Sequence, residues 1–235
     1  MSSIKEANTL GNLLIVFTRY PEPGKTKTRL IPVLGPEGAC ELHRCMAEDT
    51  MKWALQLKRG HMANLEVRYN RGTDLLMKEW LGEDVWYRNQ GDGDLGKRMS
   101  RAFKEAFQSK MESVIIVGTD CLDLGVDIVN SAFTMLTKID AVIGPAKDGG
   151  YYLIGFRADT FLPETFEGIH WGAKTVLQET IKILKFTGCT VHLLKERGDV
   201  DRFFDLKELF HRGCDTRFSA LKTISFLRKH ERIFR

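Results

Sequence analysis

The sequence has no apolar run approaching the ~20 residues needed to cross a bilayer. Its first segment, "MSSIKEANTLGN", has no apolar core of the kind a secretory signal carries. It has no CxxC pair either. Its five cysteines, Cys40, Cys45, Cys121, Cys189 and Cys214, are scattered and odd in number. That pattern argues against a disulfide framework or a structural zinc site and fits a reducing compartment. Together these absences predict a cytoplasmic protein with no membrane span. No stretch rich in Pro, Gly or Ser divides the chain, and no internal repeat is visible. One domain is predicted over residues 12–235, behind an N-terminal tail of residues 1–11 and ending in helices from about residue 207. Charge of one sign is scarce as well. Lys plus Arg number 35 against 31 Asp plus Glu, a net charge of +4. Without a concentrated basic face this predicts a small anionic ligand and no nucleic acid. The locally basic "LRKHERIFR" at the end reads as a solvated helix.

What is present is an ordinary globular composition, 43% hydrophobic and 28% charged, laid out as short apolar runs between amphipathic segments. Strands are predicted at "LLIVF" (Leu13–Phe17), "LEVRYN" (Leu65–Asn70), "VIIVG" (Val114–Gly118), "AVIGP", "YYLIGF" and "TVHLL". Helical spacing appears in "CELHRCMAEDTMKWALQLKR", "DLLMKEWL", "LGKRMSRAFKEAFQ", "VDIVNSAFTML" and "AKTVLQETIKILKFTG", the last ending in a glycine stop signal. Strands alternating with helices predict a mostly parallel sheet covered on both faces, an α/β/α sandwich. In such sheets ligands sit beyond the carboxyl ends of the strands. The loops to inspect therefore follow Phe17, Tyr69, Val117 and Ile143.

Two motifs mislead. "GKT" suggests a P-loop, but the residue five before Gly24 is Arg19, where the motif needs glycine. Pro21 and Pro23 also remove backbone donors from the loop. "GDGDLG" (Gly91–Gly96) satisfies G-x-G-x-x-G, but it lies far from the first strand, and Asp92 and Asp94 would repel a pyrophosphate. It reads as a flexible glycine loop leading into a helix from Lys97, a candidate for seating a ligand.

The loop "FTRYPEPGKTKTRL" places Lys25, Lys27 and Arg29 on alternate positions, so an extended segment would point all three to one side. Like charges at ~4 Å cost about 4 kcal/mol at an effective dielectric near 20, so such a cluster needs a counter-ion or solvent. A solvated loop is one reading. A polyphosphate cradle is the other, with Arg29 binding in bidentate fashion and the lysines acting as point charges. Polyphosphate chemistry usually wants a divalent metal held by oxygen ligands. "VIIVGTDCLDL" places Asp120 just past a buried strand, with Asp123 a candidate helix N-cap. "RGDVDRFFDL" spaces Asp199 and Asp201 so that an extended segment would aim both the same way. In "PAKDGGYYLIGF", Asp148 starts a turn, binds metal or orients a sugar hydroxyl, while Gly149 and Gly150 let backbone approach a ligand. "GIHWGAKT" holds His170 and Trp171 in a loop, with His170 a general-base candidate against a structural role.

In this order, "FTRYPEPGKTKTRL", "NQGDGDLGKRM", "GTDCLDL", "GPAKDGGYYLIGF" and "GDVDRFFDL" resemble the GT-A-like nucleotide-diphospho-sugar transferases. The resemblance is strongest to the bacterial radical-SAM-associated, or arsenosugar-biosynthesis, transferases. The basic loop is also similar to that of 2-phospholactate guanylyltransferases and molybdenum-cofactor nucleotidyltransferases. The resemblance implies a Rossmann-like GT-A fold and a Mg²⁺ or Mn²⁺ ion bridging carboxylate and diphosphate. It implies that Pro23, Gly24, Lys25, Lys27 and Arg29 hold phosphates, and that Gln90, Gly91, Gly96 and Arg98 border the nucleotide. It implies that Asp120 and Asp201 hold the metal, and that Asp148, Gly149, Gly150 and Trp171 face the transferred group. The catalytic set would be Lys27, Arg29, Asp120 and Asp148. The chain departs from the family pattern at Leu122 (commonly proline), at Gly172–Ala173 (commonly Ser-Thr) and at Arg202–Phe203.

The expected activity is metal-dependent transfer from a nucleotide diphospho-sugar to a small-molecule acceptor. One alternative is a nucleotidyltransferase joining an NTP to a phosphorylated small molecule with release of pyrophosphate. The other is a nucleotide-binding module without catalysis.

Overall fold

The computed structural model describes residues 11–213 and 217–234. Cys214 and nearly all of the predicted N-terminal tail lie outside them.

Seven strands form one sheet: β1 (Asn12–Arg19), β2 (Asn64–Asn70), β3 (Trp86–Asn89), β4 (Ser113–Val117), β5 (Ala141–Pro145), β6 (Tyr151–Arg157) and β7 (Val191–Leu193). Their order across the sheet is β3-β2-β1-β4-β6-β5-β7. β6 runs antiparallel to β4 and β5, and every other pairing is parallel. The parallel strands therefore end at one edge, and the short β5–β6 connection turns at that same edge.

β1 is buried along six successive residues, as expected of a strand covered on both faces. Its alternation divides the core. Leu14 and Val16 pack with Leu57, Met77 and Phe133 from α1 (Ile31–Arg59), α2 (Asp74–Leu81) and α4 (Val126–Leu136). Leu13, Ile15 and Phe17 pack on the other face with Phe103 and Leu184, from α3 (Leu95–Gln108) and α5 (Val176–Phe186), and with Phe156 and Phe166. Burial contributes about 1.5–3 kcal/mol for each such large side chain. A third cluster joins α1 to α6 (Phe203–Gly213) and α7 (Lys222–Lys229) through Leu42, Met46, Leu206, Ile224 and Leu227. The result is the three-layer α/β/α sandwich with a mostly parallel sheet that the sequence predicts.

The structure differs from the sequence expectation in several places, and among them the terminal "LRKHERIFR" is not one solvated helix, since α7 ends at Lys229 and Leu227 and Phe234 are buried. β3, "WYRN", is too short and too polar to show as an apolar run, and its pairing with β2 at the sheet edge holds it. α1 begins earlier than its spacing suggests, across a break at Gly35 (φ 71°, ψ 168°) before Pro36. α5 starts at Val176, because residues 173–175 are turn. Asp123 does not cap α4. Gly125 holds the cap position, and Asp123 accepts a hydrogen bond from Arg212 instead.

Candidate active site

The loop after β1 is not extended. The amide of Lys25 donates to the Glu22 carbonyl at 3.1 Å, and Gly24 takes the left-handed φ of 75° that the turn requires. Lys27 is also left-handed, at φ 44° and ψ 45°. For a residue with a Cβ this costs about 1–2 kcal/mol. A 3-10 turn, Thr28–Leu30, follows. The three cations consequently do not share one side. The side chain of Lys27 is 4% exposed, whereas that of Arg29 is 61% exposed and Lys25 is exposed.

Lys27 points inward because acceptors wait there. Its Nζ donates to Asp120 Oδ1 at 2.8 Å and to the Val200 carbonyl at 2.5 Å. The Val200 amide in turn donates to the Asp120 carbonyl at 3.0 Å. Arg29 pairs with Asp201. The basic loop, the end of β4 and the segment after β7 thus meet at one edge of the sheet.

The carboxylates there differ. Asp120 sits just past β4 with 52% of its side-chain surface open. Its crowded setting opposes ionisation. The Lys27 ammonium outweighs that, helped by His43 and Arg19, and holds the carboxyl below its ordinary range. Asp199 is pushed up to about 6, first by burial and then by Asp148, Asp205 and Asp120. Asp199 and Asp201 therefore have different surroundings instead of acting as a matched pair. Asp148 accepts from the Gly150 amide at 2.8 Å, the turn role expected of it. Gly149, at φ 93°, passes so near the Lys174 carbonyl that a Cβ would lie 2.2 Å from it.

Gln90 is buried, and its Nε2 donates to the carbonyls of Thr18 and Arg68, both at 3.0 Å, lacing the ends of β1 and β2. Arg98 donates to the Gly93 carbonyl at 2.9 Å, and Arg101 to the Gln90 carbonyl at 2.6 Å. Asp94 caps α3 by accepting from the Lys97 amide, so the helix starts at Leu95, before Lys97. Gly91 is left-handed at φ 74°. Gly96 lies against the indole of Trp171, which a Cβ would meet at 2.6 Å. The predicted nucleotide border and the transferred-group side therefore touch. His170 is 82% exposed and partners Glu179.

Two contributors escaped the sequence reading. His43 on α1 donates from Nε2 to the Arg19 carbonyl at 3.0 Å, and burial lowers its pKa. No spacing signal marks it. Asp205 accepts from the amides of Asp201 and Arg202 at 3.1 and 2.7 Å and shapes the loop. Its place three residues after Arg202, at the start of α6, is the available signal.

Among the described residues, no group of three or more His, Cys, Asp or Glu side chains is arranged to hold a metal ion. Asp201 fits poorly as a ligand while Arg29 holds it. Asp120 and Asp199 fit better, since one is open and the other is crowded by negative charge. Mg²⁺ is commonly held by one or two carboxylates, completed by waters and substrate phosphates.

This architecture, with its strand-end loops converging on one edge, is the GT-A-like fold of nucleotidyl- and sugar-transferring enzymes. The chain belongs to the family described as "Uncharacterized protein conserved in bacteria (DUF2064)", whose model matches residues 52–173. A solved structure from Desulfovibrio desulfuricans G20, a "putative nucleotide-diphospho-sugar transferase", is 36% identical with a TM-score of 0.90, covering 95% of this chain and 96% of that one. The 4-diphosphocytidyl-2C-methyl-D-erythritol synthase of Anaerococcus prevotii DSM 20548 shares the fold at 12% identity and a TM-score of 0.55, covering 84% of this chain and 94% of that one. Rv0371C of Mycobacterium tuberculosis H37Rv, solved in complex with manganese, shares it at 13% identity and a TM-score of 0.50, covering 86% of this chain and 98% of that one. No curated protein matches. Among the described residues, no helix is long and apolar enough to cross a membrane.

Proposed function

We propose that the protein is a nucleotidyltransferase that joins an NTP to a phosphorylated small molecule and releases pyrophosphate. The observation that carries this reading is the meeting of an exposed basic loop with an acidic cluster at one sheet edge, tied through Lys27. A solved structure described as a nucleotidyl transferase from Methanothermobacter, which shares the fold at 12% identity, supports it. An acceptor phosphate oxygen forms a bond to the α-phosphorus of the NTP while the bond from that phosphorus to the β-phosphate oxygen breaks. Lys25 and Arg29 stabilise the charge growing on the departing pyrophosphate. For Arg29 this means exchanging the Asp201 carboxylate for phosphate oxygens. A bound Mg²⁺ or Mn²⁺ ion would supply Lewis-acid charge neutralisation. Asp120 and Asp199 would hold it, and the manganese complex of the distant relative supports that class of ion. Gly149, with its closely packed backbone, and Trp171 would border the acceptor.

Sugar transfer from a nucleotide diphospho-sugar is the second reading. The name of the 36% identical relative favours it. The narrower likeness to radical-SAM-associated or arsenosugar transferases rests on the sequence motifs alone. One experiment separates the two. Each NTP is incubated with Mg²⁺ or Mn²⁺ and a panel of sugar phosphates, and each nucleotide sugar with the matching free alcohols. Pyrophosphate from an NTP supports nucleotidyl transfer. Free nucleoside diphosphate from a nucleotide sugar, without pyrophosphate, replaces it with glycosyl transfer. Nucleotide binding without either product leaves the non-catalytic module.

A further inference from the structure

We propose that Lys27 is a positioning residue and not a phosphate ligand: its ammonium fixes Asp120 against the Val200 segment and so sets the spacing of Asp120 and Asp199. The inference rests on the reading of that carboxylate pair given above. Its test needs no turnover, so it can fail while the proposed activity stands.

Three features separate Lys27 from its neighbours in the basic loop. The first is access. Its side chain is 4% exposed against 61% for Arg29, so a phosphate at the sheet edge meets Arg29 and not Lys27. The second is saturation. An ammonium has three donors, and two are committed, at 2.8 Å to Asp120 Oδ1 and at 2.5 Å to the Val200 carbonyl. The third is closure. The Val200 amide returns a 3.0 Å hydrogen bond to the Asp120 carbonyl. Lys27, Asp120 and Val200 thus form a ring of contacts joining the loop after β1, the end of β4 and the segment after β7. Asp199 directly precedes Val200, so its position relative to Asp120 follows from that ring. The left-handed backbone at Lys27 turns the side chain inward to reach both acceptors. Arg29, exposed and paired with a single carboxylate, can exchange its partner for a ligand.

The test compares wild type with Lys27→Met, Lys27→Arg and Arg29→Met. Three quantities are read on the ligand-free protein. They are amide hydrogen exchange of residues 198–202, binding of inorganic triphosphate without metal, and binding of Mn²⁺ by electron paramagnetic resonance. For Lys27→Met, exchange in 198–202 should quicken at least tenfold and Mn²⁺ affinity should fall about 10-fold or more, the size seen when a group orienting a metal ligand is removed. Triphosphate affinity should stay within about twofold of wild type, since an ammonium that touches no phosphate removes none of the charge-assisted bonds such binding uses. Lys27→Arg should restore Mn²⁺ binding in part, because it keeps charge and donors. Arg29→Met should show the reverse pattern. Should Lys27→Met fail to fold, Lys27→Gln keeps a polar side chain in the pocket and is read the same way. Loss of triphosphate binding in the Lys27 variant matching that of Arg29→Met, or unchanged Mn²⁺ affinity, would overturn the proposal.

Discussion

Asp120 follows β4 and Asp199 lies in the segment after β7, and both stand at the same edge of the sheet in unlike company. Asp120 has an ammonium at 2.8 Å, while Asp199 is part-buried and feels the negative charge of Asp148, Asp205 and Asp120. The chain thus compensates one carboxylate itself and leaves surplus negative charge at the other. That surplus is why the proposed metal is assigned to Asp199 together with Asp120. The two cations divide in the same way. Lys27 is consumed by structure, while Arg29 stays at the surface on an exchangeable partner. The lesson is that residues of one type in one short motif can serve assembly and binding separately, and burial tells which is which.

The largest effect should come from the compensated carboxylate. Asp120→Asn keeps an acceptor for Lys27 but removes the charge, and metal-dependent turnover should fall about 100-fold or more. Full activity in that variant would detach Asp120 from the chemistry.

Next is the exposed cation. Arg29→Met should weaken metal-free triphosphate binding roughly tenfold to a hundredfold, the scale of a lost charge-assisted hydrogen bond of about 1.5–3 kcal/mol. Asp201→Asn sharpens the comparison from the other side. Freed of its competitor, Arg29 should bind triphosphate a few-fold more tightly with Mn²⁺ affinity unchanged, measured by titration calorimetry and resonance. A marked fall in Mn²⁺ affinity would restore Asp201 as a ligand.

The two aspartates should also respond oppositely to pH in metal-free protein. The folded value of Asp199, about 6, lies above its ordinary 3.8. The folded state therefore holds that proton more tightly than the unfolded chain, and stability from this group declines as pH rises from about 4 to 6. Asp199→Asn should remove the decline and raise the melting temperature at pH 7 by roughly 2–4 °C, the equivalent of about 1 kcal/mol after solvent screening. Asp120, with its folded value lowered, contributes stability above its ordinary pKa and loses it as pH falls through the folded one. Melts for both variants from about pH 7.5 down to well below the ordinary carboxylate range check the signs.

Gly96→Ala probes packing away from the carboxylates. Its Cβ would press on the Trp171 indole, and overpacking of this kind costs about 1–3 kcal/mol. A drop in melting temperature with triphosphate binding intact is expected.

Much of the framework was legible because the buried strands are apolar runs and the helices carry clear periodicity. α2 and α4 begin and end where their spacing says. β3 was not legible, because a four-residue polar strand is created by its neighbour and not by its own composition. The strand-end rule pointed to the basic loop and the Asp120 loop, since parallel strands deliver their loops to one edge; it did not point to the Asp199–Asp201 segment, which meets them through Lys27 and Arg29. It did not reveal how the residues divide. Alternation in "KTKTR" suggests three equivalent cations. Only the left-handed turn at Lys27 and a carbonyl 173 residues away separate them. His43 had no local signal, because its role arises from helix α1 crossing the end of β1.

The most direct test of the account is thermal denaturation of wild type and Asp120→Asn with each NTP, with and without Mg²⁺ or Mn²⁺. Ligand at 100 times its dissociation constant should stabilise by about 2.7 kcal/mol. The account predicts that at least one NTP raises the wild-type melting temperature further when the ion is present than without it, and that Asp120→Asn loses this ion-dependent gain. An equal gain in both proteins, or none for any NTP in wild type, would contradict it.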